Sequence, residues 1–311
     1  MTVAAIILIS VLVVLAVAVA VVFAYAFRRN GVFERKMQMK ISGKYRKQVA
    51  LAEEFLQNHA AETVETRSFD GLRLVGRFVP CENARGTLLC FHGWRSSPEI
   101  DFGAAYGLYH SLGLNLLLVS QRAQGDSEGE YLTFGVRERR DVLSWLAWHQ
   151  ENRGEEPVFL TGMSMGATTV LMACGENLPD NVRGVIADCG FTSPYEIVRA
   201  VIKANHIPTW PLLPLMNLLT RWFAGFDMKE FSTLDAMKTA KIPIFMAHGE
   251  ADTFVPCEMS RRTFAACRSE DKSLLLAPGA KHGESYLKLP QQYTETLTAF
   301  IERNIRRGDP V

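Results

Sequence analysis

From residue 3 to residue 27 no position carries a charge, and only Ser10 and Tyr25 interrupt a run of Val, Ala, Leu, Ile and Phe. A helix of that length spans about 37 Å, more than the ~30 Å hydrocarbon core of a bilayer. Buried helices of soluble proteins seldom lack every charge over such a length. A cleaved secretory signal is the nearer alternative, because 24–26 reads Ala-Tyr-Ala. Against it, no Lys or Arg precedes the run, and the run exceeds the roughly 7–15 apolar residues of such signals. The pattern predicts an uncleaved transmembrane anchor over 1–27, followed by a juxtamembrane segment over 28–58 in which Gly43 interrupts any long amphipathic helix.

The rhythm then changes. Residues 63–69 and 72–79 alternate about Asp70-Gly71, which predicts a β-hairpin. Short continuous apolar runs at 87–91, 115–119, 157–161, 182–187, 242–247 and 273–277 predict buried strands. Between them lie helical stretches at 99–111, 137–151, 167–175 and 258–267, with a closing helix at 291–306. Strands too apolar to be half exposed, alternating with helices, indicate a mostly parallel sheet covered on both faces, with the hairpin antiparallel at one edge. Residues 193–235 break the alternation with Pro194, Pro208, Pro211 and Pro214 among Trp210, Trp222, Phe223 and Phe226. That is too long for an ordinary loop and is read as a small helical cap beside a binding pocket, the alternative being a peripheral packing excursion with no substrate role. The domain limits are therefore 1–27, 28–58 and 59–311, the last with a cap insertion at about 193–235.

Composition sharpens this picture once it is divided. The whole chain of 311 residues has a net charge of +1, which argues against a dedicated nucleic-acid binder. Within it, 28–47 holds eight basic residues (Arg28, Arg29, Arg35, Lys36, Lys40, Lys44, Arg46, Lys47) against Glu34 alone, so the segment from 48 onward is acidic. By the positive-inside rule the C-terminal side of the anchor faces the cytoplasm, and the basic stretch gains contact with an anionic leaflet. The six cysteines form no C-x-x-C pair and read as free thiols of a reducing compartment.

Chemistry concentrates in Gly162-Met163-Ser164-Met165-Gly166, a G-x-S-x-G between a predicted strand and a helix of small residues. A nucleophile on so tight a turn needs glycines on both sides, and the helix directs its positive end at a developing oxyanion. Serine requires a base, itself oriented by a carboxylate. Downstream histidines are His206, in the cap; His248, ending a strand and read as structural; and His282, in the loop after the last strand. For the acid, Asp252 follows a strand in HGEADTFVP and Asp188 is held in reserve, with Asp227 and Asp235 read as surface or capping residues. The order Ser164, Asp252, His282 is the one found with this turn. No H-E-x-x-H, P-loop or EF-hand pattern is present, and serine chemistry requires neither metal nor other cofactor.

GMSMG, HGEAD, the late His282 and His92-Gly93-Trp94 together resemble the α/β-hydrolase superfamily over about residues 63–307. The stretch SQRAQGDSEG at 120–129 is similar to its D-x-R-x-x-G-x-S loop, most closely in membrane-anchored bacterial members related to prolyl-oligopeptidase-like and dienelactone-hydrolase-like domains. Ser120 stands where the family has Asp, which puts the local salt bridges in doubt. The resemblance implies an α/β-hydrolase fold and an oxyanion site made by the backbone N–H groups of Trp94 and Met165, with His92 structural. It also implies a membrane-anchored serine hydrolase that cleaves a carboxylic ester or thioester through an acyl-enzyme. Alternatives are a small-peptide serine peptidase of prolyl-oligopeptidase type and a catalytically silent binding or scaffold protein. The expected partners are a small acyl substrate, lipid-derived if anchor and cap deliver it, and the membrane; nothing in the sequence bears on oligomeric state.

Overall fold

Alternating apolar runs and helices become, in the computed structural model of the protein, one sheet covered on both faces. The structure describes residues 2–306; Met1 and 307–311, the outer ends of the expected anchor and catalytic domain, lie outside the described residues. The strands are β1 (Glu62–Arg67), β2 (Arg73–Val79), β3 (Gly86–Phe91), β4 (Leu114–Val119), β5 (Val158–Met163), β6 (Val182–Asp188), β7 (Ile244–Gly249) and β8 (Lys272–Ala277), in the order β1-β2-β4-β3-β5-β6-β7-β8. The β1–β2 hairpin closes about Gly71, whose φ of +88° suits a residue without a Cβ. β2 runs antiparallel to β4, and every later neighbour is parallel.

Helices α1 (Val3–Phe27), α2 (Gly31–Lys44) and α3 (Arg46–Asn58) precede the sheet. α4 (Pro98–Phe102), α5 (Tyr106–Ser111), α6 (Glu138–Arg153) and α7 (Met165–Ala173) connect its first strands. The expected cap contains α8 (Pro194–Ala204), α9 (Leu212–Leu219), a π-helical turn (Thr220–Ala224) and α10 (Thr233–Met237). α11 (Glu258–Ala266), α12 (Ser285–Lys288) and α13 (Pro290–Asn304) complete the chain. The pleat divides the core: along β3, Leu89 and Phe91 join Trp145 and Val170 of α6 and α7, while Leu88 and Cys90 join Tyr106, Leu297 and Phe300 of α5 and α13. Each fully buried Leu or Phe contributes about 1.5–3 kcal/mol relative to exposure, and the β3 and β4 side chains are all buried.

Two expectations are modified. The helix expected at 99–111 is interrupted by a 3-10 turn (Gly103–Ala105), at a point where α3 packs so closely that a Cβ on Gly103 would collide with Ala52. Residues 28–58, expected as a juxtamembrane segment, hold α2 and α3 and dock on the sheet domain. The break between the two helices falls at Tyr45, two residues after Gly43, and Gln38 Nε2 donates to the Ser96 carbonyl at 3.2 Å.

α1 is the one helix among the described residues long and apolar enough to cross a membrane. Val19, Phe23 and Phe27 are buried on one of its faces, with Leu15, Val22 and Ala26 partly buried beside them. That i, i+4, i+8 row packs on cap residues such as Leu213, Met216 and Phe226. The opposite faces, including Val3, Ile7, Val14 and Val21, are exposed.

Candidate active site

β5 delivers the chain into Ser164, whose φ of +54° and ψ of −110° lie where a residue with a Cβ is strained. The surroundings enforce this conformation. Ser164 N–H donates to the Asp188 carbonyl at 2.9 Å, and the Ser164 carbonyl accepts from Thr168 N–H at 3.0 Å. The flanking glycines are needed for close approach: a Cβ on Gly166 would overlap the Phe91 carbonyl, and one on Gly162 the Gly166 carbonyl. α7 is buried along its whole length, so this turn sits on a rigid element.

Around Ser164 the structure brings together His282 and Asp252. His282 Nε2 lies 2.9 Å from Ser164 Oγ, and His282 Nδ1 lies 2.7 Å from Asp252 Oδ2. Asp252 is buried, and its Oδ1 accepts from the backbone N–H groups of Phe254 and Val255 at 2.8 and 2.9 Å. Burial alone would raise its pKa, but hydrogen bonds from His248 and His282 outweigh that and hold it below the ordinary carboxylate value. Asp252 is thus an acceptor only, so Nδ1 of His282 donates to it and Nε2 is left to accept from the Ser164 hydroxyl. The ring of Phe254 packs edge-on to the imidazole at 5.0 Å.

The other sequence candidates stand elsewhere. His248 is fully buried, with Nδ1 2.6 Å from Ser260 Oγ and Nε2 3.0 Å from the Val255 carbonyl and 3.2 Å from Asp252 Oδ2. It supports the acid rather than meeting Ser164. Asp188 accepts from Ser285 Oγ at 2.8 Å, its other oxygen meets no hydrogen-bond partner among the described residues, and burial raises its pKa. His206 lies in the cap with φ +58°. Asp227 pairs with Arg221, and Asp235 bonds the Ser232 that caps α10. His92 is buried and pushed down to about 4 by desolvation. Its Nδ1 donates to the Gly93 carbonyl at 2.8 Å, and its Nε2 accepts from Gln121 N–H at 3.3 Å, as a neutral ring must.

The turn after β3 lies directly over Ser164, since a Cβ on Gly93 would sit 3.4 Å from the Ser164 Cβ. Met165 opens α7, so its N–H has no acceptor within the helix. Neither the Trp94 nor the Met165 amide meets an acceptor among the described residues. Sequence reasoning missed the groups that hold this turn. Asp101 Oδ2 accepts from Gly93 N–H at 2.6 Å and its Oδ1 from Ser96 Oγ at 2.7 Å, while loss of solvent pushes its carboxyl up to about 6. On the outer side, Trp94 Nε1 donates to the Ala26 carbonyl at 2.9 Å, and buried Arg95 donates to the carbonyls of Tyr25 and Arg28 at 2.9 and 2.7 Å. The candidate oxyanion turn therefore caps the last carbonyls of α1, a contact across some seventy residues that no local pattern announces.

The doubt raised by Ser120 also resolves. Arg122, buried, reaches Asp141 with both Nε and Nη2 at 2.6 Å and Asp70 with its two Nη atoms at 3.0 Å. The arginine keeps two carboxylate partners without an acid at 120.

A cavity of about 480 Å³ opens over Ser164 and His282, a size ordinary for a small-molecule site. Its walls include Ile100, Phe102, Tyr109 and Leu287, together with Tyr25 of α1, Met37 and Ile41 of α2, and Tyr45 between α2 and α3. No described residue of 193–235 lines it. Of the two readings of 193–235, this favours peripheral packing over a cap that shapes the pocket: α9 and the π-helical turn pack against α1. Cys189, Asp252 and His282 place ligand-type atoms within 4.8 Å of one another. That set fits a metal poorly, because Asp252 and His282 are engaged with each other and burial raises the Cys189 thiol far above the range in which it ionises.

Strand order, serine turn and the placement of its partners define an α/β-hydrolase. Residues 129–308 match the model of the prolyl oligopeptidase family, and the chain belongs to that family. It is 28% identical over 236 residues to YqkD of Bacillus subtilis, covering 75% of this chain and 76% of that protein. Lysophosphatidylserine lipase ABHD12 of Rattus norvegicus is 24% identical over 173 residues, 51% of this chain and 39% of that protein. Among solved structures, the Pyrococcus furiosus esterase Pf2001 superposes with a TM-score of 0.65 at 22% identity, covering 80% of this chain and 92% of that one.

Proposed function

We propose that the protein is a membrane-tethered serine hydrolase that cleaves a carboxylic ester or thioester of an apolar acyl chain. The observation that carries this reading is the hydrogen-bonded line from Asp252 through His282 to Ser164 at the foot of an apolar cavity. As Ser164 Oγ attacks the acyl carbonyl, His282 Nε2 takes its proton, and the Trp94 and Met165 amides hold the oxyanion. The imidazolium then protonates the leaving oxygen or sulfur, which departs and leaves Oγ acylated. Water, deprotonated by the same nitrogen, attacks the acyl-enzyme; collapse releases the acid, and Ser164 recovers its proton.

The substrate class follows from the cavity and from where it opens. Its outer wall is built at the end of the apolar helix, at Tyr25, Met37 and Ile41, so an acyl chain leaving a bilayer there meets Ser164 without crossing open water. The names of the esterase and of the lysophosphatidylserine lipase agree with an ester substrate. On this reading 1–27 is a single membrane span and 28–58 a juxtamembrane segment whose positive charge keeps the catalytic domain, 59–311, in the cytoplasm. A second reading, a small-peptide serine peptidase, is favoured by the family match.

Full-length protein in detergent micelles, assayed with p-nitrophenyl esters of graded acyl length and with peptide p-nitroanilides, tests both. The proposal expects kcat/KM to rise with acyl length and to vanish in Ser164→Ala. Turnover of the peptides alone would favour the peptidase, and turnover of short, water-soluble esters alone would remove the apolar-chain assignment.

A further inference from the structure

We infer that the cap around α9 is a second membrane contact, seated in the same leaflet as the C-terminal half of α1. This inference rests on the reading of α1 as a membrane span. About 20 apolar residues are needed to cross the hydrocarbon core, and every 20-residue placement within Val3–Phe27 includes residues 8–22. Val19 and Val22 therefore lie in hydrocarbon in any placement, and they belong to one packed cluster with cap residues such as Leu213 and Met216. Whatever cap surface touches them is at membrane depth too.

The cap's own sequence and surface suit that position. α9 reads LLPLMNLL, without a charge. Trp210, Trp222 and Phe223 are 78%, 71% and 60% exposed, a burden for a surface in water but the usual equipment of a bilayer interface. The patch is continuous with the helix, since the rings of Phe223 and Phe23 lie 6.2 Å apart. From 197 to 226 there is no Asp or Glu, while Arg199, Lys203 and Arg221 are present. That sign of charge matches anionic head groups. The occupant of the patch is thus the head-group and acyl boundary of an anionic leaflet, which the cap enters without crossing.

The test uses the full chain in phosphatidylcholine–phosphatidylglycerol vesicles with brominated acyl chains, which quench tryptophan at membrane depth. The proposal expects most of the wild-type quenching to be lost in W210F/W222F, since these are the exposed tryptophans of the cap, with hydrolysis of a soluble short ester unchanged as the control for folding. Equal quenching in both, with the protein still in the vesicles after alkaline carbonate washing, would overturn the cap contact and leave the anchor standing. Release of the protein by carbonate would overturn the anchor itself and the cap contact with it.

Discussion

Asp252→Asn isolates the role of the acid, because it preserves shape and changes only which atoms donate. In the wild type Oδ1 accepts from two backbone amides, and Oδ2 faces His282 Nδ1 at 2.7 Å and His248 Nε2 at 3.2 Å. An asparagine keeps its oxygen on the two amides, since a side-chain N–H pointed at them would leave three donors face to face. Its amino group must then occupy the Oδ2 position and donate to His282 Nδ1. That fixes the imidazole proton on Nε2, 2.9 Å from Ser164 Oγ, where it cannot accept the serine proton. Such a tautomer error costs ~10⁴ in kcat, equivalent to about 5.5 kcal/mol at ~1.36 kcal/mol per decade. Stability should change less, by about 1.5–3 kcal/mol, the range for one charge-assisted hydrogen bond. The assay is ester turnover under saturation, with a thermal melt on the same preparation. A variant with kcat within tenfold of wild type would refute the argument, because the line through Asp252 would not then set the state of His282.

Further predictions concern the groups around that line. His248→Ala removes a fully buried ring bonded to Ser260, Val255 and Asp252; it should cost ~3 kcal/mol in a denaturant titration yet only about tenfold in kcat, since two amides still hold Asp252. A loss in turnover as large as that of His282→Ala would place His248 in the proton transfer itself. Asp101 has a folded-state pKa of about 6, above its ordinary value of 3.8, so its protonated form is the one the fold favours and its ionisation between those values weakens the fold. Stability in a urea titration should therefore fall as pH rises from about 4 to about 6, and this fall should be absent in Asp101→Asn; an identical pH dependence in the two would remove Asp101 from the proton linkage of the fold.

Most of the sheet was legible because its signals are local. TLLCF and NLLLV are continuous apolar runs between turns and became β3 and β4 within one residue of their expected limits. GMSMG was legible for a related reason: a turn that admits no Cβ on Gly162 or Gly166 restricts residue type at fixed spacing. What stayed hidden depends on contacts between distant segments. The cap carries prolines and aromatics that suggest a pocket cover, but nothing in 193–235 reveals that its apolar face is matched to Leu15, Val19 and Phe23 of α1. Met37 and Ile41 sit in a stretch dominated by its charges, and only the docking of α2 turns them toward the cavity. Asp101 carries no pattern at all, because its role is set by the approach of a strand end to a short helix.

The central claim is that Ser164 is the nucleophile, and covalent trapping tests it most directly. Full-length protein treated with a fluorophosphonate and digested should yield one modified peptide, containing Ser164, with labelling abolished in Ser164→Ala and nearly so in His282→Ala. An adduct on another residue, or labelling undiminished in Ser164→Ala, would contradict the account.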